Sequence, residues 1–258
     1  MMIPVGLQLY SIKEAISHDF IGTLEKVKEA GYDCVEFAGY NNMKAEVLSA
    51  ELDRIGLQPY SSHVSWQQLQ NNLDEVAAYS ETLGLKWVVC PGYPIQSRQD
   101  CLNLAELLNK AAEVLNEKGI QVGYHNHSHE FEKYDGHYAL DLMLEHAAEG
   151  KVYAELDVCW AQYADVDPLT YLDSLGKKAG PMHCKDINSN YKDLKGEDIN
   201  VEVGAGMLDF EALFQIAQKH GNLEKGLIVE QEAFTRDPFE SIAMSCRYIR
   251  ETLAKMNL

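Results

Sequence analysis

Short apolar runs alternate along the chain with longer segments in which apolar residues recur every three or four positions. Such runs favour buried β-strands, and the three-to-four spacing favours helices that bury one face. The predicted strands are Ile3–Leu9, Cys34–Phe37, Leu57–Ser62, Lys86–Cys90, Ile120–His125, Val152–Asp157, Gly180–His183 and Gly226–Glu230. The predicted helices are Asp19–Ala30, Met43–Ile55, Trp66–Leu83, Asp100–Lys118, His137–Ala148, Pro168–Leu175, Asp209–His220 and Pro238–Met256.

Signals at the helix ends support this alternation. Glycine, the usual residue just beyond a helix C-terminus, follows five predicted helices, as Gly31, Gly56, Gly84, Gly119 and Gly221. Eight strand–helix pairs in 258 residues predict an α/β fold, a single (β/α)8 TIM barrel domain over residues 1–258. A doubly wound open sheet is the alternative, but it usually has a glycine-rich loop after the first strand, where this chain has Leu9-Tyr10-Ser11.

Composition narrows the class of protein. The chain is 46% hydrophobic, which suits one large core, and its formal net charge of −18 would repel a nucleic-acid backbone. Six scattered cysteines without CxxC spacing favour reduced thiols. The N-terminus lacks the basic region of a signal peptide, and no apolar run reaches membrane-spanning length. We therefore expect a cytoplasmic protein without nucleic-acid or membrane partners, and homo-oligomer formation stays open.

The chemistry is densest in the segment GYHNHSHEF, which follows the fifth predicted strand at residues 123–131. Strand alternation puts His125 and His127 on one face, and Glu130 follows where the chain turns away. A surface loop rich in histidine is the plain interpretation. Three histidines beside a carboxylate at a strand end favour a site for metal binding or proton transfer.

In a parallel barrel the C-terminal ends of all strands open on one mouth, so polar residues that close the strands meet there. Strands five to eight end with the ligand-type residues His125, Glu130, Asp157, His183 and Glu230. Oxygen and imidazole donors suit a divalent ion such as Mn²⁺, with Mg²⁺, Co²⁺ or Zn²⁺ as alternatives. Asp157 could instead cap a helix, and His183 could be a core histidine with satisfied hydrogen bonds.

At these residues the chain resembles the xylose isomerase-like TIM barrels, which include sugar and sugar-phosphate isomerases and epimerases, inosose dehydratases and apurinic endonucleases. The resemblance covers essentially the whole chain. It is carried by YHNH (124–127) with EF (130–131), LDVCW (156–160), HCKD (183–186), GAG (204–206) with DF (209–210), and VEQE (229–232). It implies one catalytic divalent metal, for which Asp157, His183 and Glu230 inherit three of the four ligand positions.

The fourth position departs from the epimerase pattern. Many sugar epimerases carry a glutamate on strand five that binds the metal and transfers a proton, and this chain has His125 there. The resemblance then implies Glu130 as the fourth ligand, supplied from the loop, and leaves His125 or His127 for proton transfer or substrate binding. A His-x-His arrangement on strand five is similar to the inosose dehydratase and keto-sugar hydratase branch.

Other polar or aromatic residues near strand ends are expected to contact substrate, because they can stack on a polyol or form hydrogen bonds with it. These candidates are Tyr10, His63, Trp160, Lys185 and Arg236, with Glu36 and Tyr93 as further ones.

The expected function is a divalent-metal-dependent sugar or sugar-phosphate isomerase or epimerase that acts through an enediolate. His125 is the expected base, with Glu232 or His127 as its partner. Loss of a β-hydroxyl after the same first step would make the protein an inosose or 3-keto-sugar dehydratase or hydratase instead. A sugar-binding barrel without catalysis is a more remote alternative, and metal-dependent DNA repair is disfavoured by the negative charge.

Overall fold

The eight parallel strands form a closed barrel in the computed structural model, which describes residues 3–194 and 196–258. Neighbouring strands around the barrel follow chain order, so the predicted (β/α)8 barrel is confirmed. The strands are β1 (Val5–Gln8), β2 (Cys34–Phe37), β3 (Gln58–His63), β4 (Trp87–Cys90), β5 (Gln121–His125), β6 (Val152–Asp157), β7 (Ala179–Cys184) and β8 (Leu227–Val229).

Helices surround the barrel close to their predicted positions. They are α1 (Lys13–His18), α2 (Phe20–Glu29), α3 (Ala45–Ile55), α4 (Trp66–Asn71), α5 (Leu73–Leu83), α6 (Arg98–Glu117), α7 (Ala139–His146), α8 (Val158–Tyr163), α9 (Pro168–Leu175), α10 (Phe210–His220) and α11 (Pro238–Lys255). Each helix of the described ranges is too short or too polar to cross a bilayer.

One helix prediction needs correction, and two short helices are additional to the predicted ones. The segment predicted as one helix from Trp66 to Leu83 is two helices, because Asn72 leaves helical geometry at φ −134° and ψ 30°. The short helices α1 and α8 were not predicted, since six-residue segments are too short to show a clear apolar period.

Register between neighbouring strands brings the polar strand ends level with one another. His125 pairs with Glu155 across β5 and β6, and Asp157 pairs with His183 across β6 and β7. Because side chains alternate between the two faces of a strand, Glu155 and Asp157 both point to the same face. Apolar residues of the strands, such as Val5 and Val122, are fully buried and belong to the hydrophobic core.

The chain after β7 is held against the barrel by a buried carboxylate. Asp186 Oδ2 accepts hydrogen bonds of 2.9 Å from the backbone N–H groups of Gly204 and Gly206. A Cβ atom on Gly206 would lie 2.3 Å from Asp186 Oδ1, so this close approach requires glycine. The GAG segment thus fixes the path of the chain, including the short strands Asp186–Ile187 and Asn200–Val201.

Candidate metal centre

Four side chains at the C-terminal mouth bring one donor atom each to within 4.8 Å of one another. They come from four successive strand ends, as His125, Asp157, His183 and Glu230. All four side chains are buried. His183 Nδ1 lies 3.4 Å from Glu230 Oε2. Burying two carboxylates and two imidazoles this close together is costly unless a cation or shared protons balance their charge.

Asp157 serves two purposes at the end of β6. Its Oδ1 accepts a 2.9 Å hydrogen bond from the backbone N–H of Trp160 and so caps α8. Its Oδ2 is buried and has no hydrogen-bond partner in the described part of the chain. The helix-cap interpretation is therefore true of one oxygen, and the other remains available as a ligand. Burial raises the pKa of Asp157 to about 7.

Glu130 lies apart from this cluster, in the 3₁₀ turn His129–Phe131. Its Oε1 accepts from the Tyr124 hydroxyl at 2.7 Å, and its Oε2 accepts from the backbone N–H of His127 at 2.8 Å. His129 Nε2 is 3.2 Å from Oε1. Both carboxylate oxygens are thus engaged in holding the turn after β5, whereas His125 belongs to the four-donor set.

Lys185 places a cation beside the cluster. The side chain is fully buried, and its Nζ lies 3.1 Å from Glu230 Oε2, 3.2 Å from Glu232 Oε1 and 4.0 Å from Asp157 Oδ2. Burial opposes the charge, but these three carboxylates hold the pKa of Lys185 above its ordinary value. Lys185 therefore neutralises part of the acidity of the site.

A second layer of polar side chains lies next to the two histidines. Glu36 Oε1 is 2.8 Å from His183 Nε2 and 3.0 Å from His63 Nε2, and it accepts a 2.7 Å hydrogen bond from Gln8 Nε2. Glu155 Oε2 is 2.9 Å from His63 Nε2 and 3.2 Å from His183 Nε2. Glu36 and Glu155 are fully buried.

The pKa values of the three histidines reflect the nearby carboxylates and the burial of the site. Burial opposes protonation of His63, but Glu36 and Glu155 raise its pKa to about 10. The same two carboxylates raise the pKa of His183 against the effect of burial. Burial lowers the pKa of His125 well below its ordinary value, and His183 lowers it further. The carboxylates thus favour positive charge at this point of the barrel.

A cavity of ≈ 450 Å³ opens onto the cluster. All three predicted proton-transfer residues line it, namely His125, His127 and Glu232. Tyr10 and His63 are the predicted substrate-contact residues that line it. Trp160 lies beside the site, with its ring 5.7 Å from that of His127. Lys185 is buried beside the carboxylates and is not in the cavity lining. Arg236 also lies outside this lining, and its Nε is 2.9 Å from Glu202 Oε1.

Sequence reasoning placed Glu155 near the end of strand six without giving it a role, and it did not name Gln8. Glu155 lies two residues before Asp157 on the same strand. Residues two apart on a strand share a face, so this spacing predicts a second carboxylate that points into the barrel. Gln8 closes β1 in register with Glu36, a pairing that depends on how the barrel closes.

The donor set fits a divalent metal ion. Three polar atoms on residues of this set, Asp157 Oδ2, His183 Nδ1 and His125 Nδ1, are buried without a hydrogen-bond partner in residues 3–194 and 196–258. Mixed carboxylate and imidazole ligands are those that Mn²⁺, Co²⁺ and Zn²⁺ accept. A dication would also relieve the repulsion between Asp157 and Glu230.

Comparison with known proteins places this architecture in a family. A family model described as "Xylose isomerase-like TIM barrel" matches residues 24–252, which is most of the chain. The chain belongs to this family. Proteins that this xylose isomerase-like barrel is similar to are named as a sugar phosphate isomerase/epimerase and as inosose dehydratases, so the family is one of enzymes.

Individual relatives of this xylose isomerase-like barrel differ in the reaction that their names state. An inosose dehydratase of Clostridium beijerinckii is 25% identical over 176 residues, covering 63% of this chain and 58% of the relative, so the match spans less than two thirds of that protein. The structure of a sugar phosphate isomerase/epimerase from Parabacteroides distasonis is 26% identical, with a TM-score of 0.84 over 97% of this chain and 94% of its own. An IOLI protein with a bound zinc atom shares the fold, at 14% identity and a TM-score of 0.75 over 98% of each chain.

Proposed function

We propose that this protein is a divalent-metal-dependent sugar isomerase or epimerase that acts on a polyhydroxylated carbonyl compound, with Mn²⁺ as the expected ion. The observation that carries the proposal is the buried four-donor set of His125, Asp157, His183 and Glu230 at the mouth of the barrel. The cavity next to it is lined by two further groups that can move protons, His127 and Glu232.

The proposed ligands differ at one position from the set that the sequence implied. Glu130 uses both carboxylate oxygens to hold Tyr124 and the backbone of His127, so recruiting it to an ion would leave those donors unpaired in a buried place. His125 already lies within reach of the other three ligands. We therefore propose His125 as the fourth ligand and Glu130 as the residue that fixes the turn behind it.

The bound ion would polarise the substrate carbonyl and stabilise negative charge on its oxygen. The chain itself would remove and return the α-proton through Glu232 and His127, which both line the cavity. Lys185 Nζ, 3.2 Å from Glu232 Oε1, positions that carboxylate. Glu130 holds the backbone of His127. Reprotonation at the same carbon from the opposite face gives the epimer, and reprotonation at the neighbouring carbon gives the isomer.

The alternative reaction is dehydration of an inosose or a 3-keto sugar. It is favoured by His125 at the position where epimerases carry a glutamate, and by the inosose dehydratase names of relatives from Clostridium. Dehydration shares the removal of the α-proton and differs in the loss of a β-hydroxyl. The same site can therefore be tested for both reactions with one measurement of the first step.

The charge of the cavity favours a substrate without a phosphate group. Glu230 and Glu232 are in its lining with His63, His125, His127 and the neutral side chains of Tyr10, Ser65 and Gln68, and within the described ranges no lysine or arginine lines it. A phosphate would bring about two negative charges into this acidic lining without an arginine or lysine to bind it. We therefore propose a neutral keto sugar or cyclitol as the substrate.

Solvent-proton exchange tests the proposal. The purified protein with Mn²⁺ is mixed in D₂O with ketoses, inososes and 3-keto-glycosides, and NMR follows the signal of the α-proton. We expect exchange with at least one compound, its loss on chelation, and a strong decrease in Glu232→Gln. Arg236→Gln, which changes a residue outside the cavity lining, is the matched control. Metal-loaded protein that binds a sugar without exchanging any proton would instead be a sugar-binding barrel.

A further inference from the structure

A second set of donor atoms shares two histidines with the proposed site. One atom each from His63, His125, Glu155 and His183 lies within 4.8 Å of the others. His125, Glu155 and His183 are buried, and the side chain of His63 is 11% exposed. The second set thus replaces the two carboxylates of the first, Asp157 and Glu230, by one imidazole and one carboxylate.

The spacing within this set is that of ligands around one ion. Glu155 Oε2 lies 2.9 Å from His63 Nε2, 3.2 Å from His183 Nε2 and 3.4 Å from His125 Nδ1. Ligand atoms around a tetrahedral ion with bonds of about 2.0–2.1 Å are about 3.3 Å apart. One carboxylate oxygen therefore faces three imidazole nitrogens at near-coordination spacing.

Hydrogen bonds account for only two of these contacts, His63 Nε2 with Glu155 Oε2 and His183 Nε2 with Glu36 Oε1. His63 Nε2 and His183 Nε2 each face two carboxylate oxygens, Glu36 Oε1 and Glu155 Oε2. An imidazole nitrogen carries at most one hydrogen, so these four short contacts have at most two hydrogens between them. His125 Nδ1 and Glu155 Oε1 are also buried without a hydrogen-bond partner among the described residues. The group has more lone pairs than hydrogens, as expected where a cation binds.

The two sets use opposite sides of a shared imidazole. His183 presents Nδ1 to Glu230 of the first set and Nε2 to Glu155 of the second. A neutral imidazole has one lone pair, so His183 can serve an ion in one set at a time. Simultaneous occupation would require His183 to lose its remaining N–H proton.

We propose that the barrel mouth contains two overlapping metal positions that a single ion occupies in alternation. The carboxylate-rich position, His125, Asp157, His183 and Glu230, suits Mn²⁺, whereas the histidine-rich position, His63, His125, Glu155 and His183, suits Zn²⁺. This inference rests on the proposed metal site of the function above. It implies that zinc inhibits manganese binding from a different position. Zinc bound there would use the lone pair of His183, which would then no longer be a ligand together with Asp157 and Glu230.

Two isosteric variants of the full-length chain test this inference in opposite directions. Glu155→Gln removes the carboxylate of the histidine-rich position, and Asp157→Asn removes one from the carboxylate-rich position while an amide oxygen can still cap α8. The affinities of metal-free protein for Mn²⁺ and Zn²⁺ are measured by competition with a chromophoric chelator. We expect the zinc-to-manganese affinity ratio to fall at least about tenfold in Glu155→Gln and to rise at least about tenfold in Asp157→Asn.

The ratio distinguishes a ligand from a residue that only orients one. If Glu155 merely positions the histidines, both affinities fall together by about 10- to 100-fold in Glu155→Gln and the ratio stays constant, which overturns the inference but not the proposed function. If the unchanged protein binds neither ion, both fail. Thermal unfolding checks that each variant folds. His63→Gln, at a partly exposed position, provides a second route to the same result: it should lower the ratio as Glu155→Gln does.

Discussion

The buried ammonium of Lys185 leads to a prediction in which stability and metal affinity change in opposite directions. Lys185→Met removes the cation that contacts Glu230 and Glu232 at 3.1 and 3.2 Å. In metal-free protein the buried carboxylates lose their counter-charge, so the variant should be less stable. A divalent ion bound by Glu230 would no longer be repelled by the ammonium, so the variant should bind the ion more tightly.

The magnitudes follow from the contacts. Removing one partner of a buried ion pair costs about 3–5 kcal/mol of unfolding free energy. For a chain of this size each kcal/mol shifts Tm by about 2–4 °C, which gives a decrease of about 6–20 °C in chelator. An ammonium about 5 Å from a dication repels it by about 1.7 kcal/mol even at the dielectric constant of water, so the affinity for Mn²⁺ should rise more than about tenfold.

Calorimetry with and without Mn²⁺ measures both effects on one sample. Lys225→Met is the matched control, because Lys225 is half-buried in the 3₁₀ turn Leu223–Lys225 before β8, where its Nζ donates to the carbonyls of Lys177 and Ala179. The control should lower Tm and leave metal affinity unchanged. Weaker Mn²⁺ binding in folded Lys185→Met would refute the electrostatic reasoning, and an unchanged Tm in chelator would show that the ion pairs contribute little.

Four further outcomes follow from the site. His125→Gln should weaken Mn²⁺ binding more than tenfold, with turnover recovered by excess Mn²⁺; retained affinity with a loss of about 10²- to 10⁴-fold in turnover would make His125 the base instead. Glu130→Ala should keep the metal content but lose about 1–3 kcal/mol for each donor left unpaired, measured by chemical denaturation. Chelation should lower Tm, and Mn²⁺ at 100 times its Kd should restore about 2.7 kcal/mol by calorimetry. Asp209→Ala should cost about 0.5–2 kcal/mol through loss of the α10 cap, with unchanged metal affinity by titration.

The barrel and much of its mouth could be predicted from the sequence, because both depend on short-range periodicity. The alternation of apolar runs and helical segments predicted all eight strands, and the bounds of α9 agree with the prediction. The period of two along β6 places Asp157 inward whatever its partners are. His183 and Glu230 close neighbouring strands in the same way, so chain order alone was enough to expect them near one another.

Only the tertiary structure decided which polar residues lie level with one another and which four bring donor atoms together. An uninterrupted ladder from the Ala154–Ala179 pair would place Met182 opposite Asp157, and the register shift before Leu156 brings His183 there instead. Glu130 follows the strand closely in sequence, yet its turn directs the carboxylate to Tyr124. Such bulges and turns depend on packing between distant segments, and sequence spacing therefore predicted polar residues at the strand ends but not their contacts.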